Sequence, residues 1–392
     1  MNMTNPLAQY AGKKLAILGA SYLQLPLVQR ANALGIETIC IAWDDGAVCK
    51  EYCSTFIPLS ILEKELILDS LLELNIDGIT TIASDIGIPT VAHVAQALNL
   101  SSDSMQVAQR STNKFLMREA LGKSNLPIPS YTLISQTTPL TDLHDISTPV
   151  IVKPVDRSGS KGVSKVDTPD HLHPAIIEAQ EASLSGDVIV EEFIEGVEVS
   201  VEIISWQGQH SLLAITDKET SGAPYFVETA HHQPSQLPDG IQQKIISLCF
   251  QSLDALGITL GASHSECMIT DNGEVYITEI ASRMGGDFIG SSLVSLSTGY
   301  DFLKGVIDCA LGTFSPPSEV STAHCSGVYF HSALCPHLSV YIDKHAEIDE
   351  CVEASFTGPI ADHITQSSER SGYFIYQSPE KFILDSTFGE SC

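Results

Sequence analysis

The first hundred residues alternate short apolar runs with helical stretches, and this alternation constrains the fold more than any other feature. Buried strands are predicted at 14–20, 37–43 and 78–84, with helical stretches between and after them. Strands that alternate with helices form a parallel sheet that is covered by helices on both faces. The sequence therefore predicts a parallel α/β domain at residues 1–103.

The chain changes character at NLPIPS (125–130), where two prolines interrupt it and strand signals begin to dominate. One amphipathic helix is predicted just before this break, at 104–123, and another at 239–256. Paired apolar runs at 197–206 and 210–216, joined at Gln207-Gly208, indicate a hairpin. Further strands are predicted at 131–135, 149–155, 162–166 and 188–194, and a second hairpin at 261–281. These changes place the predicted boundaries as follows: 1–103, 104–317 and 318–392.

Composition excludes several classes of partner. The 392-residue chain carries 48 acidic against 20 basic residues, a formal net charge of −28. Nucleic acids and anionic membranes are bound by basic surfaces, so this balance argues against both. No apolar run reaches the roughly 18 residues of a membrane span. Residues 19–26 have one glycine where a dinucleotide fingerprint has three, which argues against NAD.

The ten cysteines are scattered and form no C-x-x-C pair or zinc-ligand spacing. In so long a chain this pattern is typical of buried free thiols in a reducing compartment. The N-terminus lacks the apolar stretch of a signal peptide. A cytoplasmic protein is therefore expected.

Two glutamates in a predicted hairpin give the most specific local inference. Asn272-Gly273 predicts a two-residue type I′ turn, and counting outward from it pairs Glu266 with Glu279. Their Cβ atoms would lie about 5 Å apart, where like charges repel. A divalent cation removes that repulsion, and Mg²⁺ prefers one or two carboxylates together with substrate phosphates. An exposed, solvated pair of carboxylates fits the pattern equally well.

A lysine and a glycine-rich loop follow one another in PVIVKPVDRSGSKGV (149–163). Lys153 lies in an apolar strand, so its ammonium group should have a fixed anionic partner. The glycines beyond it let backbone N–H groups approach an anion, and Arg157 and Lys161 add positive charge. The pattern predicts a phosphate-covering loop without Walker A spacing. A solvated hairpin turn is the alternative.

Carboxylates interrupt the apolar run VIVEEFIEGVEVSVE (188–202) at Glu191 and Glu192, and Glu198 follows. A carboxylate at a strand end accepts hydrogen bonds from a ribose, and neighbouring backbone can pair with an adenine edge. Alternating polar residues on a half-buried strand look similar, so the pattern leaves both interpretations open.

An arginine follows the hairpin in EIASRMGGDFIG (279–290). Arg283 lies four residues after Glu279 and just before Gly285-Gly286. Beside metal-bound phosphates, such an arginine could clamp a carboxylate or stabilise an oxyanion. A surface arginine at a helix start is the alternative.

Taken in order, these segments resemble the ATP-grasp superfamily over most of the chain. The resemblance is carried by TNKFLMREAL, IVKPVDRSGSKGV, VEEFIEGVEVSVE, HSECMIT and ITEIASRMGG. It is closest to carboxylate–amine ligases of the L-amino acid ligase kind, and extends to purine-pathway and carbamoyl-phosphate-synthase-like enzymes. It implies an α/β fold with a Rossmann-like N-terminal domain, a two-lobed α+β core and a β-rich C-terminal segment.

The resemblance also implies roles for individual residues. Contacts to ATP fall to Lys114, Lys153, Ser158, Gly159, Ser160, Lys161, Gly162, Glu191, Phe193, Ile194 and Glu198. The metal ligands are Glu266 and Glu279, and the catalytic residues are Lys153 and Arg283. Substrate contacts fall to Glu228, His231, Arg283, Gly285 and Gly286.

The implied reaction joins a small-molecule carboxylate to an amine, with amino acids as the expected substrates. ATP and Mg²⁺, or Mn²⁺ in its place, are the implied cofactors, and a homodimer is a family-level expectation. Ala281 departs from the family pattern, which often has Asn there, so the second metal site is in question. Two alternatives stay open: a purine-pathway-like ligase or carboxylase, and a non-catalytic ATP-binding regulatory protein.

Overall fold

The computed structural model describes residues 7–138, 146–223 and 225–384, and the strands in these ranges form three sheets. Parts of the predicted terminal domains, residues 1–6 and 385–392, lie outside the described residues. The strands are β1 Lys14–Leu18, β2 Glu37–Ala42, β3 Thr55–Pro58, β4 Gly78–Thr80, β5 Tyr131–Ile134, β6 Val150–Pro154, β7 Ser164–Val166, β8 Val188–Glu192, β9 Val197–Trp206, β10 Gln209–Thr220, β11 Glu228–Gln233, β12 Gly261–Ile269, β13 Val275–Ala281, β14 Cys325–His331, β15 Cys351–Phe356 and β16 Gly372–Ser378. The helices are α1 Leu25–Ala33, α2 Lys64–Leu71, α3 Ile88–Leu98, α4 Met105–Arg110, α5 Lys114–Lys123, α6 Leu172–Ala182, α7 Asp239–Leu256, α8 Val294–Thr298, α9 Phe302–Ala310 and α10 Leu338–Asp343.

The N-terminal sheet is parallel, in the order β3-β2-β1-β4, which confirms the predicted α/β architecture. The side chains of successive residues in β1 point to opposite faces of the sheet, because side chains alternate along a strand. Leu15 and Ile17 pack with α1 and α9, whereas Ala16 and Leu18 pack with α2 and α3. Strand β3 was not predicted from sequence, because this edge strand is only half-buried and has no alternating pattern.

A small antiparallel sheet, β5-β8-β6-β7, forms one lobe of the core. Helix α6 covers its apolar face, where Ile176 and Ala179 pack against Val152 and Val190. Ile151, Lys153 and Glu191 lie on the other face, and all three line a cavity. This lobe therefore supplies one wall of a cleft.

The large sheet runs in the order β13-β12-β9-β10-β11-β14-β16-β15. Helix α7 packs on it through an apolar cluster that includes Leu253 and Ile277. The β9–β10 hairpin turns at Gln207-Gly208, as predicted, and the φ values of +52° and +78° at these residues are those of a type I′ turn. The C-terminal strands join the core directly, because β11 pairs with β14.

The predicted helix at 104–123 is wrong as a single element, since two helices, α4 and α5, occupy this range. Asn113 separates them, and its side chain accepts a hydrogen bond from the N–H of Leu116 at 3.0 Å. Asparagine is a favoured N-cap because it satisfies a free helix donor, so α5 starts anew at Lys114.

The predicted two-residue turn at Asn272-Gly273 is also wrong. Gly273 has a φ of +77°, but Asn272 does not have the positive φ that a type I′ turn requires at both positions. The N–H of Thr270 donates instead to the carbonyl of Glu274 at 3.0 Å. The loop is one residue longer, with glycine in the left-handed position that three-residue hairpin loops favour.

Among the described residues, eight cysteines carry free thiols, but Cys335 is disulfide-bonded, so the expectation of free thiols is wrong there. Pairing depends on the distance between Cα atoms in the fold, which scattered positions in a sequence do not reveal. Among the described helices, none combines the length and the apolar character needed to cross a bilayer.

Candidate active site

The residues predicted to bind the nucleotide converge on one cavity of about 220 Å³. It lies between the small sheet and the part of the large sheet formed by β9, β10, β12 and β13. The predicted residues that line it are Lys114, Lys153, Ser158, Gly159, Ser160, Glu191, Phe193, Ile194, Glu198, Glu228, Glu266, Glu279 and Arg283. Residues that are up to 169 positions apart in sequence are thus brought to one cleft.

The two predicted metal ligands face each other on neighbouring strands. Glu266 in β12 pairs with Glu279 in β13, as predicted from the sequence. Between the turn and Cys267, the strand register differs by one residue from the predicted register. A β-bulge between Glu266 and Cys267 compensates for this difference, so Glu266 still pairs with Glu279. A bulge adds one residue to one strand, and bulges are common next to functional sites, where they re-aim side chains.

Each of these glutamates is compensated by a lysine. The Nζ of Lys218 lies 2.7 Å from Oε1 of Glu266 and 2.5 Å from Oε1 of Glu198. The Nζ of Lys114 lies 3.1 Å from Oε2 of Glu279. Burial alone would raise the pKa of Glu266, but the attraction of Lys218 outweighs it and holds that pKa well below its usual value. The Glu266 carboxylate therefore carries full negative charge.

The donor set at the two glutamates fits Mg²⁺ that arrives with a phosphate. Across residues 7–138, 146–223 and 225–384, no three His, Cys, Asp or Glu side chains converge to hold a metal ion by themselves. Mg²⁺ does not need such a cage, because it is usually held by one or two carboxylates, water and substrate phosphates. Two paired carboxylates on one side of the cavity meet that requirement.

Lys153 has the fixed anionic partner that its apolar strand predicts. Its Nζ lies 2.6 Å from Oε2 of Glu191, and Nε of Arg118 lies 2.6 Å from Oε1 of the same carboxylate. Glu191 is almost fully buried, which would raise its pKa, but the two cations outweigh burial and lower the pKa. Glu191 therefore holds Lys153 in place at the wall of the cavity.

The predicted phosphate-covering loop has an unusual backbone. Gly159, Ser160 and Gly162 have φ values of +66°, +57° and +72°. A serine in the left-handed region is uncommon and marks a turn whose shape is imposed by its surroundings. Ser158, Gly159 and Ser160 line the cavity, whereas Lys161 is exposed and, with Gly162, does not contribute to its wall.

An aromatic wall closes the cavity on the side of the small lobe. The ring of Phe193 lies 6.3 Å from that of Phe226, and the Nζ of Lys165 lies 4.3 Å above the Phe193 centroid. Ile194 continues this apolar surface. Apolar and aromatic walls with a few polar groups are typical of sites that bind a planar ring.

Arg283 is held by a residue of the N-terminal domain. Its Nε and Nη2 each donate to a carboxylate oxygen of Asp85 at 2.8 Å, so the pair is bidentate. Both side chains are nearly buried. Burial alone would raise the pKa of Asp85, but Arg283 outweighs it and lowers that pKa. The predicted substrate-side arginine is therefore fixed in direction by a carboxylate from another part of the chain.

The predicted substrate residues line a second cavity of about 300 Å³, which shares Arg283 with the first. Glu228, His231 and Gly286 belong to its wall. Burial holds the pKa of His231 well below its usual value, so the imidazole is neutral. Among the described residues, Nδ1 of His231 has no hydrogen-bond partner. A neutral, buried imidazole beside a carboxylate can accept a proton.

The C-terminal segment completes this second cavity. The hydroxyl of Ser367 donates to Glu228 at 2.6 Å, and Nη2 of Arg370 donates to Asp287 at 2.6 Å. The Arg370 guanidinium lies 3.8 Å above the ring of Phe330. Sequence analysis found no motif in this segment, yet it contributes both charge and hydroxyl groups.

Gly285 braces the site rather than lining either cavity. Its N–H donates to Oε2 of Glu202 at 3.0 Å, and Oε1 of the same carboxylate binds Nδ1 of His264. A Cβ at Gly285 would lie 2.6 Å from Glu202, so the close approach requires glycine. Since Nε2 of His264 lies 3.5 Å from Glu266, this turn is linked to one of the two predicted metal ligands.

Several site residues were missed because their partners lie far away in sequence. Lys218 interrupts a strand, Arg118 lies on the buried face of α5, and Asp85 follows a strand end. A charged residue at a buried position needs a partner, so these positions carried a signal. His264 and Arg370 carried none, because their neighbours are set by the folded sheet.

A model of the ATP-grasp domain matches residues 146–291. Alanine–anticapsin ligase of Bacillus subtilis is 27% identical over 237 residues, which cover 54% of this chain and 49% of that protein. D-alanine–D-alanine ligase of Cupriavidus metallidurans is 30% identical over 161 residues, covering 39% and 47%. The chain thus spans about half the length of the curated relatives it matches.

Solved structures resemble the chain over nearly its whole length. An L-amino acid ligase from Bacillus licheniformis has a TM-score of 0.79 at 23% identity, with 94% of each chain covered. The ADP complex of purK, an N5-carboxyaminoimidazole ribonucleotide synthetase, has a TM-score of 0.77 at 18% identity, covering 94% and 93%. The chain has the fold of the ATP-grasp enzymes and carries an ATP-grasp domain at its centre.

Proposed function

We propose that the protein is an ATP-dependent ligase that joins a carboxylate to an amine through an acyl phosphate. The observation that carries the proposal is the convergence of Lys114, Lys153, Glu266, Glu279 and Arg283 on one cleft between two lobes. The curated relatives named above are ligases of amino acids or related compounds, which supports amino acids as substrates.

ATP would lie in the first cavity. Its adenine ring fits the wall formed by Phe193 and Ile194, and Glu198 lies where a ribose hydroxyl can donate to it. Lys114 and Lys153 would bind the phosphates, with the loop 158–162 closing over them. Glu266 and Glu279 would hold Mg²⁺, which neutralises phosphate charge. Phosphoryl transfer depends mainly on such positioning and charge compensation.

The first step forms an acyl phosphate. An oxygen of the substrate carboxylate attacks the γ-phosphorus, the bond to the β-phosphate oxygen breaks, and ADP leaves. Arg283, fixed by Asp85, and the Lys218 ammonium lie at the junction of the two cavities, where they would bind the negative oxygens. Closure of the loop would exclude water, which otherwise hydrolyses the intermediate.

The second step forms the amide bond. The amine nitrogen attacks the acyl carbon, the carbon–oxygen bond to phosphate breaks, and inorganic phosphate leaves. The nitrogen must lose a proton, and the neutral imidazole of His231 is placed to accept it. Glu228, in the same cavity, would bind the ammonium form of the arriving amine.

The test is phosphate release from Mg-ATP, measured with pairs of amino acids and other small carboxylates and amines. The proposal expects release that requires two partners and an amide product by mass spectrometry. Release with bicarbonate or an aminoribotide alone would favour the purine-pathway alternative. ATP binding without release for any pair would favour a regulatory protein.

The role of the metal carboxylates is tested separately. Glu279→Gln should lower turnover at least about 100-fold, the scale expected when a group that stabilises transition-state charge is removed. Glu274→Gln is the matched control, because Glu274 lies in the same hairpin and is exposed. Equal activity of the two variants would contradict the metal role. The homodimer and the cytoplasmic location stay predictions. Size-exclusion chromatography would test the first, and cell fractionation would test the second.

A further inference from the structure

A third cavity lies at the carboxyl edge of the parallel N-terminal sheet. It has a volume of about 320 Å³, and its walls are the loops that follow β1, β2, β3 and β4. Strand β1 has β2 on one side and β4 on the other, so the chain reverses its direction of travel across the sheet there. In open α/β sheets, ligands bind outside the carboxyl ends of the strands at such a switch point.

This cavity adjoins the proposed substrate cavity. Leu23 and Ala83 line both. Ala83 has a φ of +56°, and its N–H donates to the carbonyl of Met284 at 3.2 Å, next to Arg283. A non-glycine residue in this conformation is held by its surroundings and is often found at functional sites. The two cavities therefore adjoin at Leu23 and Ala83, and the backbone of Ala83 is fixed there by its hydrogen bond to Met284.

The lining of the third cavity is largely apolar and lacks cations. Trp43 is 69% exposed and Leu62 is 47% exposed, although tryptophan is usually well buried. Among the residues that the structure describes, Asp45 is the charged residue of the lining, and no Lys, Arg or His belongs to it. Sugar phosphates are bound by cations and backbone donors. The lining therefore favours an uncharged, apolar group over a phosphate.

The floor of the cavity is rigid. Oε1 of Gln24 accepts a hydrogen bond from the N–H of Ser21 at 3.1 Å, and its Nε2 donates to the carbonyl of Ile82 at 2.8 Å. The Gln24 side chain comes within 2.9 Å of the Cβ position at Gly19. It fills the space in which a dinucleotide pyrophosphate would approach the first loop.

We propose that this third cavity is a side-chain subsite for one of the two substrates. The reacting group of that substrate lies beside Arg283, and its side chain passes between Leu23 and Ala83 to pack against Trp43. The side chain is uncharged and apolar, either aromatic or branched aliphatic. The position of the reacting group rests on the proposed function, whereas the character of the subsite rests on its lining.

Intrinsic fluorescence tests the subsite directly. The chain has two tryptophans, Trp43 and Trp206, and Trp206 packs against Phe314 at 5.7 Å. In a Trp206→Phe variant, all tryptophan fluorescence comes from Trp43. We expect a saturable change with L-phenylalanine and L-leucine, and none with L-glutamate or ribose 5-phosphate. A response to ribose 5-phosphate alone, or to none of the four, would overturn the proposal.

Kinetics give an independent readout. Trp43→Ala should raise KM for the apolar substrate about tenfold, the scale expected for losing most of one aromatic contact. KM for ATP should stay unchanged. Tyr52→Ala is the matched control, because Tyr52 is a 46% exposed aromatic residue of the same domain and lies outside the cavity. An unchanged KM in Trp43→Ala would overturn the proposal.

The two proposals fail in different ways. If phosphate release requires two substrates but neither substrate changes the fluorescence of Trp43, the subsite proposal is overturned and the ligase proposal stands. A saturable Trp43 response to apolar amino acids, without phosphate release for any pair, would sustain the subsite and count against the ligase.

Discussion

Charge compensation between single residues shapes the whole site. Glu266, Glu279, Glu191 and Asp85 each meet a lysine or arginine within 3.1 Å. An uncompensated charge at a buried position is very costly, so these pairs decide which groups stay ionised. The same cations are the groups proposed to bind the negative oxygens of the substrates, and they already lie at the cavity wall.

Lys218 gives the first prediction at this scale. Lys218→Met removes the cation shared by Glu198 and Glu266, and leaves their carboxylates facing each other. We expect turnover to fall about 100-fold or more, because the variant loses a charge beside the reacting groups. The measurement is kcat for phosphate release, with Lys123→Met, on the exposed end of α5, as control. Equal kcat in the two variants would rule out a role for Lys218.

His264 gives a pH-dependent prediction. Burial disfavours its charged form, but the attraction of Glu202 outweighs burial and raises the pKa of His264 to about 9. The folded protein then binds more protons than the unfolded chain between pH 6.5 and 9. This contribution to stability is fully present below pH 6.5 and is lost as pH rises through 9. Metal-free protein should therefore lose thermal stability across that window.

The control for this prediction is His264→Asn. The variant cannot titrate, so its unfolding midpoint should change less between pH 6.5 and 9 than that of the parent protein. Parallel curves for the two proteins would show that another group causes the change. Sequence patterns could not supply this prediction, because His264 and Glu202 are 62 positions apart and meet only across paired strands.

The elements themselves follow from the sequence where the pattern is long and periodic. Strand β9 and helix α7 begin and end at the residues that were predicted. Errors arose where a local signal competed with a longer pattern, as at the Asn113 cap. At the hairpin, Glu266 and Glu279 were paired correctly although the turn was not, because a bulge offset the longer loop. A bulge depends on tertiary packing and left no readable signal.

The turn after β13 gives a prediction at the scale of elements. Gly285→Ala would place a Cβ 2.6 Å from the Glu202 carboxylate and 2.7 Å from Nδ1 of His264, so these buried side chains or the turn must shift. Overpacking of this kind costs about 1–3 kcal/mol. We expect a lower unfolding midpoint together with lower activity. Gly286→Ala is the control, since its Cβ would meet only Ala83 at 3.3 Å; a midpoint equally low in both variants would contradict the brace.

The molecule as a whole is held together through its site. The N-terminal domain supplies Asp85 to Arg283, and the C-terminal segment supplies Ser367 to Glu228. The fold class could be predicted from sequence, but these connections could not, because no local pattern links the partners. The predicted boundaries at 103/104 and 317/318 stay predictions, although β11 and β14 pair across the second one.

Asp85 gives the prediction at this largest scale. Asp85→Asn leaves a buried arginine without its counter-charge, and breaking a buried pair costs about 3–5 kcal/mol. We expect the thermal midpoint to fall by several degrees, and turnover to fall with it. Asp44→Asn is the control, because Asp44 is largely exposed and its pair with Lys50 should contribute little. Similar midpoints for the two variants would mean that Asp85 does not join the domains.

The bidentate contact between Arg283 and Asp85 bears on how substrate preference could be redesigned. Chimeras that exchange N-terminal domains between relatives would carry the proposed side-chain subsite from one enzyme to another. The incoming domain must bring a carboxylate that matches the host arginine, since the two groups form a single unit divided between the exchanged parts. A domain that lacks this carboxylate would transfer the substrate preference, but the arginine of the host enzyme would no longer be held in its orientation.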